Sequence, residues 1–125
     1  MGYTHYWTPQ RSINEDELAF IKEVVNTTDV ELAGWNGEQD TEPELTLERV
    51  SLNGIGSDSH ETFSLGGDDW NFCKTAMKPY DEVVVAILSE LNKTGALKWT
   101  SDGESKYGDF DAGLKLRHEV LAKLK

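Results

Sequence analysis

The chain has 125 residues and a mass of 14.0 kDa, with 38% hydrophobic residues and four Trp, enough for one packed core and too little for two. Its longest apolar run, Val83 to Leu88, falls far short of the roughly 20 residues that cross a bilayer, and no Lys/Arg-led apolar segment opens it. The single cysteine, Cys73, excludes an internal disulfide and a multi-cysteine zinc site, and a net charge of −11 disfavours binding to nucleic acid or to an anionic membrane.

Residues 2–7 alternate as a short aromatic strand closed by Thr8-Pro9-Gln10. Ser12 or Asn14 can cap a helix from about residue 14 to residue 27, whose acidic first turn suits the positive end of the dipole. Val30 to Leu32 reads as a short strand, and the acidic stretch around it, from Asp29 to Glu44, as a solvated loop. Leu45 to Leu52 alternates with a one-residue offset, the pattern of a bulge, and Asn53-Gly54 marks a tight turn. Glu61 to Leu65 is the next strand, ended by Gly66-Gly67-Asp68-Asp69, and Trp70 to Ala76 another.

Pro79 suits the first position of a helix in which Val84, Ile87, Leu88 and Leu91 recur at helical spacing and Gly95 supplies the C-cap. Ala96 to Thr100 forms a strand, Ser101-Asp102-Gly103 a turn, and Asp109 caps a last helix with Phe110, Leu114, Leu121 and Leu124 on one side and Arg117 within that stripe. This order predicts a single α+β domain over residues 1–125: an antiparallel or mixed sheet of four to six short strands with three helices packed mainly on one face.

Charge is unevenly divided, with 13 acids against three bases in residues 1–64 and 10 against nine in the rest. An anion site therefore belongs to the second half. Lys74 and Lys78 share a face if their segment is extended and lead into a helix start, where free N–H groups attract phosphate, with Thr75 adding a hydroxyl. The aromatic opening strand offers Tyr6 and His5, and the helix start Tyr80, to stack a base or bond its edge, while Asp102 can accept from a ribose hydroxyl or an amino group. Cys73, His60 and Asp102 admit a Cys–His–Asp nucleophile, and His5, His60, Glu61 and Asp102 a metal site, but neither has diagnostic spacing. Cys73 itself reads as a buried structural residue on the sheet's inner face.

The segments Met1-Gly2-Tyr3-Thr4-His5-Tyr6-Trp7, His60-Glu61-Thr62-Phe63, Phe72-Cys73-Lys74-Thr75-Ala76, Lys78-Pro79-Tyr80-Asp81 and Ser101-Asp102-Gly103 resemble, in the same order, a family of small, functionally uncharacterised bacterial and phage proteins. Larger members carry a cysteine-containing insertion where this chain has only Asn53 to Ser59. By analogy with small phage proteins that counter bacterial defence, the resemblance implies sequestration of a nucleotide second messenger without cleavage. The expected protein is thus a non-catalytic module for a small phosphate-bearing ligand, cytoplasmic (in the host cytoplasm if phage-encoded), homo-oligomeric, and without metal or other cofactor, nucleic-acid partner or membrane. Its alternatives are an acidic protein-interaction inhibitor that mimics nucleic acid and a hydrolase using Cys73, His60 and Asp102.

Overall fold

The computed structural model describes residues 3–66 and 71–124; the expected Gly67-Asp68-Asp69 turn, and Met1, Gly2 and Trp70 of the flanking segments, lie outside them. Strand β1 (Thr4–Pro9) is followed by helix α1 (Glu15–Thr27), strands β2 (Glu44–Leu45), β3 (Val50–Leu52), β4 (Phe63–Leu65) and β5 (Asn71–Lys74), helix α2 (Asp81–Thr94), strand β6 (Leu97–Ser101) and helix α3 (Asp111–Lys123). The fold is α+β with six strands in two antiparallel three-stranded sheets, ordered β5-β1-β6 and β2-β3-β4. One apolar cluster draws on both sheets and all three helices. Trp7 of the first sheet meets Phe63 of the second, ring centroids 5.2 Å apart, and so joins them.

Helix α1 starts where its sequence says it should. The Asn14 side chain accepts the Glu17 N–H, and the Glu17 carboxylate accepts the Asn14 N–H, a reciprocal capping box. The same buried carboxylate takes a two-pronged bond from Arg11, at 2.8 and 2.9 Å, and the Thr94 hydroxyl from the end of α2. One side chain thus fixes the start of one helix against the end of another. Helix α2 ends as expected, with Gly95 in the left-handed conformation at φ 94°.

Other elements differ from expectation for local reasons. Residues 45–52 form two strands joined by a turn, because the Thr46 hydroxyl accepts the Arg49 N–H and donates to the Arg49 carbonyl, closing the chain back on itself where a bulge was expected. Val30 to Leu32 forms no strand, and only Ala33 makes a bridge, to Asn53. Asn53 organises a longer loop: its side chain accepts the Gly54 and His60 N–H groups and donates to the His60 carbonyl and the Thr62 hydroxyl.

Helix α3 begins after Phe110, and Asp109 instead accepts the Glu104 N–H. Its buried stripe is Gly113, Leu116 and Val120, while Leu114 and Leu124 are exposed. The helix rolls that way because Gly113 lies against α2, where a Cβ would fall 2.4 Å from Val85. Arg117 then reaches Glu90 at 2.9 Å, which accounts for a cation beside the apolar stripe.

Both edges of the first sheet are covered by side chains. Glu61 accepts the Lys74 N–H at the β5 edge (2.7 Å), and Asn92 accepts the Trp99 N–H at the β6 edge (3.0 Å), which blocks strand addition at those points.

Two outcomes follow. Gly113→Ala, which in an open helix raises stability by roughly 1 kcal/mol, should here lower it by about 1–3 kcal/mol through overpacking against Val85; a denaturant titration reads the sign. Burial alone would raise the Glu17 carboxyl, but the bonds from Arg11, Thr94 and the Asn14 N–H, with the Arg11 charge, hold it below the ordinary carboxylate range. A lowered folded-state value stabilises above the unfolded value, near 4.3, and that stability is lost as pH falls through the folded value. Glu17→Gln, which keeps the capping box, should cost about 1–2 kcal/mol at neutral pH. The gap to wild type should close on acidification in urea titrations; a gap independent of pH removes the charge from the account.

Candidate functional site

Strand β1 lies between β5 and β6, so its alternation sorts the polar motifs onto two sides. His5 pairs with Cys73 and Ser101, and Trp7 with Asn71 and Trp99; Tyr6 pairs with Phe72 and Thr100, and Thr4 with Lys74. Directly opposed residues share a face. The His5 side of the sheet therefore faces the core; on the Tyr6 side Phe72, Lys98 and Thr100 are exposed, Tyr6 and Lys74 half-buried and Thr4 buried.

On the inner side the elements converge on one carboxylate. Asp81, in the first turn of α2, accepts from His5 Nε2–H at 2.7 Å and from the Thr75 hydroxyl at 2.6 Å, both onto Oδ1. The Trp99 indole N–H, which can only donate, lies 3.2 Å from His5 Nδ1. That contact makes Nδ1 an acceptor and puts the ring proton on Nε2. Tyr3 meets the imidazole edge-on at 5.1 Å, and Phe110 packs on Trp99 at 5.0 Å. Burial first, then the charges of Asp81, Asp109 and Asp102, raises the Tyr3 phenol to about 12. Gly103 is glycine for a visible reason: a Cβ there would sit 2.4 Å from the Tyr3 oxygen.

A second knot ties the His60–Phe63 segment to β5 and α2. The Glu61 N–H donates to the Lys74 carbonyl at 3.2 Å, and the Glu61 carbonyl accepts the Tyr80 hydroxyl at 2.5 Å and the Cys73 thiol at 3.4 Å. Cys73 is buried, and burial pushes its thiol up to about 12. Burial likewise raises the Tyr80 phenol.

Of the expected ligand residues, His5, Thr75 and Tyr80 are thus fully buried, with their polar atoms engaged inside the protein. Tyr6, Lys74 and Asp102 gather on the solvent side. Asp102, one residue past β6, donates its N–H to the Thr4 carbonyl, while its carboxylate accepts the Thr4 N–H at 3.1 Å and the Tyr6 hydroxyl at 3.5 Å. Lys78 closes a turn by donating its N–H to the Thr75 carbonyl, with Ala76 and Met77 between them both left-handed at φ 53° and 57°.

The phosphate cradle expected at the helix start is not built. Helix α2 begins at Asp81, two residues after Pro79, and its first turn holds Asp81 and Glu82. Burial, and then the charges of Asp29, Glu119 and Asp81, raise the Glu82 carboxyl. The nucleophilic constellation is not assembled either. Cys73 faces the core, Asp102 the opposite side of the sheet, and His60 is an exposed loop residue. Among the described residues no group of three or more His, Cys, Asp or Glu can hold a metal ion.

Sequence reasoning passed over Phe72, Lys98 and Trp99. Phe72 pairs with Tyr6 on the solvent side and Lys98 lies opposite Thr8 on the same side, whereas Trp99 faces inward. Strand alternation in residues 96–100 carried the signal for the last two, but their faces follow only once the pairing with β1 is known. No protein-family model matches the chain, and no curated protein or solved structure is significantly similar to it.

Because one oxygen of Asp81 takes both bonds, its replacement should discriminate sharply. Asp81→Ala leaves the His5 N–H and the Thr75 hydroxyl unpaired in the interior and should cost about 3–5 kcal/mol. Asp81→Asn keeps an acceptor oxygen there and should cost about half as much or less. Thermal and denaturant unfolding of the two variants measures this; equal losses would assign the role to the charge alone.

Proposed function

We propose that the solvent side of the β5-β1-β6 sheet is the ligand surface of a non-catalytic, cytoplasmic binding module for a small phosphate-bearing ligand, a nucleotide in particular. The observation that carries this reading is the cross-strand pair of Tyr6 and Phe72, with Lys74 and Asp102 beside it and Lys98 two positions along the same face. Paired rings make a platform on which a planar base stacks. Lys74 is the diagonal neighbour of Tyr6, roughly 7–8 Å away, a span that one nucleotide covers from base to phosphate. The Asp102 carboxylate, on the other flank, accepts hydrogen bonds from a hydroxyl or an amino group.

The chemistry on the reverse of the sheet supports binding without turnover. The only thiol is buried and holds its proton, and both nitrogens of His5 are committed within the fold. Capture without cleavage suits sequestration of a nucleotide second messenger, as in phage counter-defence. Phe72 is 53% exposed in one protomer, so the reading includes a homo-oligomer in which a second copy helps to enclose the ligand. No helix among the described residues is long and apolar enough to cross a membrane.

Calorimetric titration with a panel of mononucleotides and cyclic dinucleotides tests the proposal. Wild type should bind at least one of them, and Tyr6→Ala and Lys74→Ala should each weaken binding by about ten-fold or more. Both variants should melt within about 3 °C of wild type, since neither side chain faces the core. Absence of binding across the panel, or unchanged affinity in both variants, overturns it.

A further inference from the structure

The second sheet carries a cleft of different character. Strand register pairs Ser51 with Glu44 and Ser64, while its neighbours Val50 and Leu52 belong to the core. Alternation therefore turns the Ser51 side chain away from the core, yet it is only 3% exposed and its hydroxyl has no hydrogen-bond partner among the described residues. It lines a cleft of about 410 Å³, whose rim includes Trp35, Glu38, Glu42, Glu44 and Arg49.

The loop over this side of the sheet is held in place. The Gly34 N–H donates to the Thr41 hydroxyl at 3.0 Å, a Cβ on Gly34 would lie 2.4 Å from the Glu42 carbonyl oxygen, and Ala33 is bridged to Asn53. The cleft is therefore preformed.

We infer that this cleft binds an organic cation bearing a guanidinium or primary ammonium group. Three carboxylates surround it against one guanidinium, and that guanidinium, of Arg49, lies 5.2 Å above the centroid of the half-exposed Trp35 ring. Arg49 is thus an internal example of the group the ring accepts. The buried Ser51 hydroxyl supplies an acceptor at the floor, which a cation's N–H satisfies. The carboxylates do not converge on a common point where a metal ion could be held. They suit a ligand whose N–H donors are spread over several ångströms. An ammonium or guanidinium can come from a free amine or from a Lys or Arg side chain of a basic partner, and the same contacts serve both.

Calorimetry at low ionic strength with agmatine, spermidine and a blocked Gly-Arg-Gly peptide tests the inference. Saturable binding of at least one is expected, weakened about five-fold or more by Trp35→Ala and by Ser51→Ala. Ser51→Ala should not lower the melting temperature, because the hydroxyl makes no bond to lose. Arg49→Ala, by clearing the ring, should tighten binding several-fold, and adding Trp35→Ala should abolish that gain. Tyr6→Ala, on the other sheet, should leave cation binding unchanged, which separates this site from the nucleotide surface. Tighter binding of the free amines identifies a small-molecule cation, and tighter binding of the peptide a partner's side chain. No saturable binding, or binding that follows net charge in every variant irrespective of Trp35 and Ser51, overturns the inference.

Discussion

A single buried carboxylate oxygen holds the first sheet to the helix layer. Asp81 Oδ1 receives the imidazole N–H from the opening strand and the hydroxyl from the segment after β5, while the far nitrogen of the same imidazole receives the indole N–H from β6. Four residues spread from position 5 to position 99 are joined in one chain of bonds. A buried charge is costly unless its lone pairs are used, so Asp81 tolerates its place only while these partners are present. Its position in the first turn of α2 helps, because the helix dipole there favours a negative charge. The indole contact sets the ring proton, and the bonds to His5 and Thr75 tie the start of α2 to the first sheet.

Once His5 is fixed on the inner side, alternation leaves no choice for its neighbours. Tyr6 must face outward, with Phe72 opposite it, and Lys74 must fall on the same side. Glu61 and Asn92 cover the sheet edges, and Phe72 and Lys98 stand exposed on the outer face. In the proposed reading stability and binding divide between the two sides of one sheet, so substitutions on one side can be read without confusion from the other. The second sheet repeats the arrangement, with Val50 and Leu52 inward and Ser51 outward under the acidic loop.

Local chemistry made much of this legible in the sequence. The capping box at Asn14 and Glu17 and the left-handed Gly95 are satisfied within a few residues, and both helix ends fall where those signals put them. The aromatic opening strand also forms as read, paired with the Phe72 segment. Long-range matters were less legible. Nothing near Gly113 announces that Val85 will occupy its Cβ position, so the apolar stripe of α3 reads one face away from the buried one. Asp109 looks like an N-cap until Glu104 claims it, and Pro79 looks like a first helical residue until the turn through Lys78 delays the helix to Asp81. The candidate site was legible as a set of residues but not as a surface: nothing in the order of His5, Tyr6 and Thr75 says which side chain the interior will consume.

The central claim is that His5 belongs to the architecture and that ligands meet only the opposite face. Long-range nitrogen–proton NMR correlation of the His5 ring, with and without saturating nucleotide, tests it most directly. The account predicts a ring protonated on Nε2 with Nδ1 as an acceptor, unchanged when nucleotide is added. A proton on Nδ1, or ring nitrogens that change partner on nucleotide addition, would contradict it.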